Sequence, residues 1–341
     1  MSRIFIFLLA VLIWPTFIFA QSTQEVEAVV TKVVSDDLII AQDYFGHEYE
    51  AKIANTKSDG YDYNLQVGDR VYLEIIEFVD GSSQVYFGDV KRTGGLWWML
   101  AIFAVITIFI GGQSGFFALI GLIVTIGILF GLVFPQILGG ADPVFTVVLA
   151  SIAILGVNMP LTHGLKKSTT VAFFSTVIGL AFVLLFSYLL VELGVLTGLG
   201  TEDATMLFSG SGGALPPKGI LLSGIILGAV GVLDDIAITQ QEIVFEILVS
   251  NPSLTKKELF FRAMRIGRHH IASVVNTLVL AYVGVALPLF LIFMLADTVS
   301  ITRFLNEEFV AEEIVRTVAG TMALVLTVPL STWFAVLFKK R

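Results

Sequence analysis

The sequence contains no cysteine in its 341 residues, and this absence excludes several classes of protein at once. Without cysteine there is no disulfide scaffold, no thiolate nucleophile and no cysteine-ligated zinc site. The sequence also lacks a Ser-His-Asp order, an HExxH motif and a nucleotide-binding fingerprint. The Gly-rich residues 209–213 are not followed by the Gly-Lys-Ser/Thr of a P-loop. We therefore expect neither an enzyme nor a bound cofactor.

Charged residues are scarce as well. They make up 14% of the chain, whereas 56% of the residues are hydrophobic and the mean hydropathy is +0.89. Ordinary soluble domains carry about 25% charged residues. A globule this apolar would have too little polar surface to meet water, so we expect a lipid bilayer to surround most of the chain. The net charge of −8 argues against nucleic acid as a partner.

The acidic excess is confined to one part of the chain. Residues 22–95 contain 14 acidic and six basic residues, whereas residues 96–341 contain 14 acidic and 13 basic residues. The first part therefore carries a charge of −8 and the second part is nearly neutral. This division predicts two parts in different solvents.

The N-terminus has the pattern of a secretory signal. Arg3 precedes an apolar run over residues 4–19, and Ala20 ends that run before a polar stretch. An uncleaved signal anchor is the alternative, although the run is short for a span and contains Pro15. We therefore predict a signal peptide or signal anchor over residues 1–20, with export of the segment that follows.

Residues 22–92 predict a small all-β domain outside the membrane. Five short runs rich in Val, Ile, Tyr and Phe are separated by turn residues. A sheet of this size usually closes into a barrel because closure removes exposed edges. We expect an OB-like or SH3-like barrel that has a structural role or docks a protein partner. The five runs are 26–34, 38–42, 47–53, 70–78 and 84–90.

Residues 96–341 predict an all-α bundle of seven transmembrane helices. Each apolar stretch is near the length of about 20 residues that crosses a bilayer. A long Gly-rich loop covers residues 195–217, within which residues 209–213 are expected to be mobile. Residues 241–269 form an amphipathic connection rich in Lys and Arg. The predicted spans are 96–112, 115–137, 143–161, 168–192, 218–240, 270–295 and 314–337.

The basic residues indicate how the spans are oriented. If residues 22–92 are outside, seven spans place the C-terminus in the cytoplasm. The inside loops and C-terminus then hold ten basic residues, whereas the outside loops after residue 96 hold three: Lys218, Arg303 and Arg316. This is the positive-inside bias of membrane proteins. The ten inside residues are Lys166, Lys167, Lys256, Lys257, Arg262, Arg265, Arg268, Lys339, Lys340 and Arg341.

One face of the fifth span changes character along its length. Three glycines at spacings of four and three share that face, and such a stripe predicts close packing of another helix. The same face continues into polar residues toward the cytoplasmic end. The helix-packing glycines are Gly224, Gly228 and Gly231, and the polar continuation is Asp235, Thr239 and Glu242.

A carboxylate inside a span is costly and is a candidate functional group by default. Asp235 continues the glycine face, and Asp234 points about 100° away from it. The alternative is that both carboxylates reach cytoplasmic water or pair with Arg265 or Arg268. Adjacent positions on one helix do not bring two carboxylates together, so a shared-proton aspartyl pair is excluded.

The sixth and third spans offer further oxygen ligands at a similar depth. Asn276, with Thr277 beside it, shares a face of the sixth span with Ser273, and Asn158 lies near the inner end of the third span. Together with Asp235 these side chains predict an oxygen-rich site for a proton, Na⁺ or a divalent cation. Alternatively, each Asn only hydrogen-bonds to a neighbouring helix.

Two stretches of the membrane part resemble the YibE/F family of bacterial membrane proteins. They are residues 228–237, which contain Gly-Ala-Val-Gly and Asp235, and residues 276–289, which begin with Asn276-Thr277. In the family pattern an Asp aligns with Asp235 and an Asn-Thr pair with Asn276-Thr277, whereas Asp234 stands where an apolar residue is usual. The resemblance implies a multi-pass protein of the bacterial cell membrane with an exported N-terminal domain. It implies no substrate.

These observations favour a membrane transporter or permease for an ion or small solute. We expect coupling to a cation or a proton, at a polar site in the cytoplasmic half of the membrane. The alternative is a non-transporting assembly or signalling protein whose exported domain docks a partner. The chain shows no internal repeat of the kind found in many transporters.

Overall fold

The computed structural model describes residues 24–53, 64–78, 82–295 and 300–338. The chain separates into two compact units, and the boundary follows Phe109 within a long helix. Strands come first and helices follow, as the sequence predicts. The expected signal segment over residues 1–20 lies outside the described residues.

The first unit contains a closed barrel of five strands, which confirms the predicted all-β domain. The strands follow the order β1-β2-β3-β5-β4 around the barrel, and β3 pairs with β5 in parallel while the other pairs are antiparallel. Because β5 lies between β3 and β4, the barrel is not a simple meander, and its order corresponds to the Greek-key arrangement of OB-like domains. The strands are β1 (Gln24–Ser35), β2 (Leu38–Asp43), β3 (Glu48–Lys52), β4 (Arg70–Glu77) and β5 (Ser83–Val90).

Alternating side chains fill the interior of the barrel. Ile39 and Ala41 on β2 are fully buried, and so are Val71 and Leu73 on β4. The period of two residues follows from the strand pleat, which sends successive side chains to opposite faces. Strand β1 has register shifts against β2, and such irregularities bend a strand. It can therefore pair with β4 along its first half and with β2 along its second half.

The turn between β2 and β3 is held by the carboxylate of Asp43. This carboxylate accepts hydrogen bonds from the backbone N–H groups of Phe45 (2.8 Å) and His47 (2.9 Å). It also contacts the Nδ1 atom of His47 at 3.0 Å and accepts from the Tyr49 hydroxyl at 3.2 Å. The hairpin tip is therefore ordered, and it presents Tyr44 and Phe45 to the surroundings with 97% and 82% exposure.

Helices make up the rest of the described chain. A π-helical turn, Leu129–Val133, joins the first two helices into one stretch. The helices are α1 (Thr93–Ile128), α2 (Phe134–Leu138), α3 (Pro143–His163), α4 (Lys167–Leu193), α5 (Glu202–Gly210), α6 (Pro217–Ser250), α7 (Lys256–Val285), α8 (Leu287–Leu295), α9 (Ile301–Leu305) and α10 (Glu308–Leu337).

Five helical stretches among the described residues are long and apolar enough to cross a membrane. They are Thr93–Leu138, α3, α4, α6 and α10, and the pair α7 and α8 makes a sixth if its 61° bend lies within one span. The apolar side chains of the first stretch are largely exposed, since only 11% of its most apolar window is buried. An exposed apolar surface of this extent marks a contact with a membrane or with another protein.

The predicted count of seven spans depends on the stretch Thr93–Leu138, which the sequence divides into spans 96–112 and 115–137. Its 46 residues would measure about 69 Å as one helix, more than twice the hydrocarbon thickness of about 30 Å. Gly112 interrupts the helix with φ 56° and ψ −134°, a backbone conformation that favours glycine. Helix length alone gives five or six spans, so the count of seven stays a prediction.

The second unit is built around α4, α6 and α10, with α3 packed against α6. Large apolar side chains at the centre of this unit are fully buried, among them Leu155, Leu180 and Ile226. Small residues let the helices approach closely. At Gly179 on α4, an added Cβ would lie 2.6 Å from the Thr327 hydroxyl of α10.

Two connecting segments are more regular than the sequence predicts. The connection over residues 241–269 is mostly helical, because α6 continues to Ser250 and α7 begins at Lys256 with a capping box between Thr255 and Glu258. This box satisfies the backbone donors at the start of α7 and fixes where that helix begins. The sequence becomes polar at the expected membrane edge, so hydropathy ends the predicted spans there. The helices α6 and α7 both continue beyond that edge.

The loop over residues 195–217 is anchored rather than free. The Glu308 carboxylate accepts hydrogen bonds from the backbone N–H groups of Thr197 and Gly198. Glu312 is 5% exposed and accepts from the N–H group of Gly200 at 3.1 Å. The loop also contains α5, which includes Ser209 and Gly210. The expected mobility of residues 209–213 stays a prediction.

Candidate functional site

The candidate site lies along one face of α6. Its glycines and carboxylates are aligned because positions 224, 228, 231, 235 and 242 recur at helical spacing. Gly228, Gly231, Asp235 and Glu242 are exposed, while neighbouring positions such as Ile226 and Leu233 are buried in the core. We call this surface the polar face of α6, defined by Gly224, Gly228, Gly231, Asp235 and Glu242.

The three glycines do not pack against the backbone of another described helix, contrary to the sequence prediction. An added Cβ at Gly224 would meet Nη1 of Arg316 at 3.3 Å, and one at Gly228 would meet the Tyr282 hydroxyl at 3.4 Å. At Gly231 no described atom lies within 4 Å. The glycines therefore make room for polar side-chain ends and leave part of the face unfilled.

One end of the polar face is bordered by an ion pair from α10. Nε of Arg316 lies 3.3 Å from the Glu313 carboxylate, and both side chains are about a quarter exposed (25% and 28%). The guanidinium forms no hydrogen bond with another described residue, and its Nε is shielded from solvent. From the sequence, Arg316 is grouped with the charged residues of the outside loops. However, it lies within the predicted span 314–337, and a charge within a span is what marks it as a candidate site residue.

The other end of the polar face meets the last residue of α3. The carboxylates of Asp235 and Glu242 are both close enough to the His163 imidazole to interact with it electrostatically. Thr239, between them on α6, is half-buried. His163 was not recognised in the sequence because it stands at a predicted loop, and only the packing of α3 on α6 brings it to the carboxylates.

Asp234 faces a different environment from Asp235. Its Oδ1 atom is shielded from solvent and has no hydrogen-bond partner among the described residues. The Asp235 carboxylate is near enough to act on its charge. Neither carboxylate forms an ion pair with Arg265 or Arg268 among the described residues, so that part of the alternative is not present. The other part, that the carboxylates reach cytoplasmic water, stays open.

Asn158 is directed toward α1 and not toward the polar face. Its Nδ2 donates to the Thr125 hydroxyl at 2.9 Å, and Oδ1 would lie 3.1 Å from a Cβ at Gly121. Oδ1 itself has no partner among the described residues. Asn158 therefore connects α3 to α1, which is the alternative role that the sequence left open for it.

Asn276 has the predicted depth but points in another direction. Val274 and Leu278 of α7 pack in one cluster with Val232 and Ile236 of α6, so these parts of the two helices lie at the same level. Asn276 is two residues from each of these contact positions, which turns it about 200° away from α6. Asn276 and Thr277 are exposed, and the Thr277 hydroxyl donates to the Ser273 carbonyl at 3.0 Å. The expected convergence of Asp235, Asn158 and Asn276 is thus not formed.

A second polar cluster joins α6 to α10 within the core. Gln240, Gln241, Ser331 and Thr332 are no more than 5% exposed. Nε2 of Gln241 donates to the Ser331 carbonyl at 3.1 Å, and the Ser331 hydroxyl donates to the Ala237 carbonyl at 3.1 Å. This cluster was not found in the sequence because Gln240 and Gln241 stand at the edge of the predicted span.

The arrangement on α6 can hold a positive charge. Two carboxylates about two helical turns apart share an exposed face, and the His163 imidazole is within electrostatic range of both. Among the described residues, no cluster of three or more His, Asp or Glu side chains is placed to hold a metal ion.

Comparison with known protein families covers the two stretches that show the family resemblance, residues 228–237 and 276–289. No curated protein and no solved structure matches the chain. The model of the YibE/F-like protein family matches residues 99–341, a region that includes the polar face of α6 and the whole of α7. The chain therefore belongs to the YibE/F-like family.

Proposed function

We propose that this protein is a transporter or permease that moves a proton or a small cation along the polar face of α6. The observation that carries the proposal is the exposed face itself. Glycines replace side chains along its middle, an Arg316–Glu313 pair borders one end, and Asp235, Glu242 and His163 gather at the other.

The free-energy cost of a carboxylate within a transmembrane helix supports a functional role for Asp235. An ionised carboxylate at the centre of a transmembrane helix costs about 2.5–3.5 kcal/mol by insertion measurements. Such a residue persists where water reaches it or where it binds a cation. Asp235 is exposed on a face that has no ion-pair partner for it among the described residues, so an incoming cation or proton would supply the missing positive charge.

The proposed roles differ along the face. Asp235 and Glu242 bind the cation or accept the proton, and His163 exchanges protons with them because an imidazole titrates near neutral pH. Arg316 and Glu313 border the opposite end of the same face. Asp234 is a secondary candidate, whereas Asn158, Asn276 and Thr277 do not contribute ligands to this site in the described arrangement.

The proposal includes a topology in the bacterial cell membrane. Thr93–Leu138 crosses twice with a turn near Gly112, and α7 with α8 crosses once, which gives seven spans with α3, α4, α6 and α10. The barrel is then outside, and the end of the bundle that carries Lys166, Lys256 and the C-terminus is cytoplasmic. His163, Asp235 and Glu242 lie toward the cytoplasmic side in this topology.

Flux through reconstituted protein tests the proposal. The purified chain is placed in liposomes that contain a dye sensitive to pH, Na⁺, K⁺ or Mg²⁺, and a gradient of the matching ion is imposed in each case. We expect Asp235→Asn to lose the flux while inserting normally, because the amide keeps the size of the side chain and removes its charge. The matched control is Asp203→Asn on α5, an exposed carboxylate away from the polar face. Wild-type flux in Asp235→Asn, or no flux of any of these ions through the wild type, would overturn the proposal.

A second candidate function is favoured by the barrel. Tyr44 and Phe45 stand exposed at the tip of a hairpin that Asp43 holds in place. Exposed aromatic pairs on an ordered turn are typical of protein-docking surfaces. In this function the protein is a membrane assembly or signalling component and the barrel binds a protein partner.

Deletion of residues 22–92 discriminates the two functions. Flux that survives the deletion supports transport by the helical unit alone. Loss of the cellular phenotype from the deletion, in a protein whose wild type shows no flux, supports docking. Phe45→Ser tests docking separately, because it removes one aromatic ring from the tip and leaves the hydrogen bonds to Asp43 in place.

A further inference from the structure

A cavity of about 410 Å³ lies between the end of α6 and the first turns of α7. It is one helical turn beyond Glu242 and is not part of the polar face of α6. Its lining combines two arginines, one carboxylate, two small polar residues and two aliphatic side chains. The lining residues used below are Glu246, Ser250, Asn251, Arg262, Arg265 and Ile266.

The walls of this cavity are fixed by the local sequence. Asn251 ends α6, and its side-chain oxygen accepts hydrogen bonds from Ser253. The capping box then starts α7, in which Leu259 and Ala263 are fully buried against the ends of α6 and α10. With that face of α7 buried, Arg262 and Arg265 are left on the side that lines the cavity.

The two arginines of the cavity, Arg262 and Arg265, have no ion-pair partner among the described residues. Glu246 is the carboxylate in the lining. Glu258 lies near Arg262, but its carboxylate is engaged with the backbone and hydroxyl of Thr255. Two guanidinium groups facing one space of this size fit a phosphate, which arginine binds through paired hydrogen bonds.

The depth of the cavity matches the headgroup layer of a bilayer. The predicted sixth span begins at residue 270, so Arg265 and Arg262 lie about 8–12 Å before it at 1.5 Å per residue. The headgroup layer is about 5–8 Å thick on each side of the hydrocarbon core, and an arginine side chain spans the remaining distance. Ile266 is 47% exposed and lies on the membrane side of both arginines, where an acyl chain would contact it.

We propose that this cavity binds the headgroup of an anionic phospholipid. Arg262 and Arg265 hold the phosphate. Glu246 accepts hydrogen bonds from headgroup hydroxyls, Ser250 donates to or accepts from them, and the acyl chains follow Ile266 toward the bilayer core. The bound lipid fastens the α6–α7 connection to the membrane surface. Anionic lipids are concentrated where juxtamembrane basic residues lie, which supplies the ligand on that side of the membrane.

Lipid binding by the full chain tests the proposal without any transport measurement. The protein is purified in a neutral detergent, and its thermal unfolding and the lipids that it retains in native mass spectrometry are recorded. Phosphatidylglycerol, phosphatidylcholine or inorganic phosphate is added as the probe. We expect phosphatidylglycerol alone to remain bound and to raise the unfolding temperature.

The matched variants are Arg262→Gln with Arg265→Gln, and Lys166→Gln with Lys167→Gln at the same end of the bundle. Each arginine substitution is expected to weaken phosphatidylglycerol binding about tenfold, since a hydrogen bond to a charged group is worth that factor or more. The lysine pair is expected to bind as the wild type does. Arg265→Lys keeps the charge and the fold and is expected to bind at an intermediate level.

Two results would overturn the proposal. Equal weakening in the lysine and arginine variants would show that the whole basic surface attracts lipid and that the cavity is not a specific site. An equal response to inorganic phosphate and to phosphatidylglycerol would assign the cavity to a free phosphate ligand. Failure of the flux experiment on Asp235 would leave lipid binding unaffected, so the two proposals fail independently.

Discussion

At the scale of single residues, Gly179 shows how little space separates α4 from α10. A Cβ at this position would lie 2.6 Å from the Thr327 hydroxyl and 3.2 Å from Cδ2 of Leu233. Thr327 is fully buried and its hydroxyl donates to the Ala323 carbonyl at 2.8 Å, so it has no free direction in which to move. One added methyl group therefore forces the helices apart.

We expect Gly179→Ala to destabilise the protein by about 1–3 kcal/mol, the usual cost of overpacking a core. Thermal unfolding of the purified chain in detergent measures the change. Gly127→Ala on α1 is the matched control, because no described atom lies within 4 Å of its Cβ position and alanine favours helix. Equal unfolding temperatures for the two variants would contradict this prediction, because they would show that α4 and α10 accommodate the added methyl group without loss of stability.

The residues of the site differ in how well their position in the site can be predicted from the sequence. Asp235 and Glu242 follow from periodicity alone, because one helix fixes their common face whatever surrounds it. The direction of Asn276 does not follow, because it depends on which side of α7 packs against α6. His163 and Arg316 join the site only through contacts between helices that are far apart in sequence, and such contacts leave no local pattern.

At the scale of elements, the β2–β3 hairpin depends on an ionised carboxylate. Burial alone would raise the pKa of Asp43, but hydrogen bonds from His47 and from the Phe45 backbone outweigh it and bring the pKa below its ordinary value of 3.8. A carboxyl group with a lowered pKa in the folded state stabilises the fold at pH values above its ordinary pKa. That stabilisation is lost as the pH falls below 3.8 through the lowered pKa.

We therefore expect the hairpin amides of Phe45 and His47 to be protected from hydrogen exchange at pH 5 to 7. Below pH 3.8 the protection should fall, after correction for intrinsic exchange rates. Asp43→Asn is expected to show the unprotected behaviour already at pH 7, since a neutral amide accepts weaker hydrogen bonds than a carboxylate. Glu48→Gln, which removes the charge of an exposed carboxylate on β3, controls for a general effect of charge. Full protection in Asp43→Asn at pH 7 would contradict this account of the turn.

Elements with strong periodicity could be predicted, and their ends could not. Alternation located all five strands of the barrel, and hydropathy located the long helices. The extension of α6 to Ser250 and the start of α7 at Lys256 depend on capping and on packing outside the membrane, where hydropathy carries little information. The lipid cavity proposed here lies between those two ends, so it was not recognisable from the spans alone.

At the scale of the whole molecule, the number of spans depends on whether the stretch Thr93–Leu138 crosses the membrane once or twice. If this stretch crosses the membrane twice, the barrel and α5 lie on the same side. If it crosses once, they lie on opposite sides. If the barrel is exported, the positive-inside bias favours two crossings, because two crossings place the ten basic loop and C-terminal residues on the side opposite the barrel.

The absence of cysteine makes this topology directly measurable, since any introduced thiol is unique in the chain. Single variants Tyr44→Cys on the barrel, Met206→Cys on α5 and Leu165→Cys after α3 are treated in intact cells with a membrane-impermeant maleimide. All three native side chains are highly exposed, at 97%, 77% and 92%, so each thiol is accessible from its own side. We expect labelling at positions 44 and 206 and no labelling at position 165 until the cells are permeabilised. Labelling of 44 and 165 without 206 would mean that Thr93–Leu138 crosses once, and the seven-span topology, together with the cytoplasmic placement of Asp235 and the lipid cavity, would be reversed.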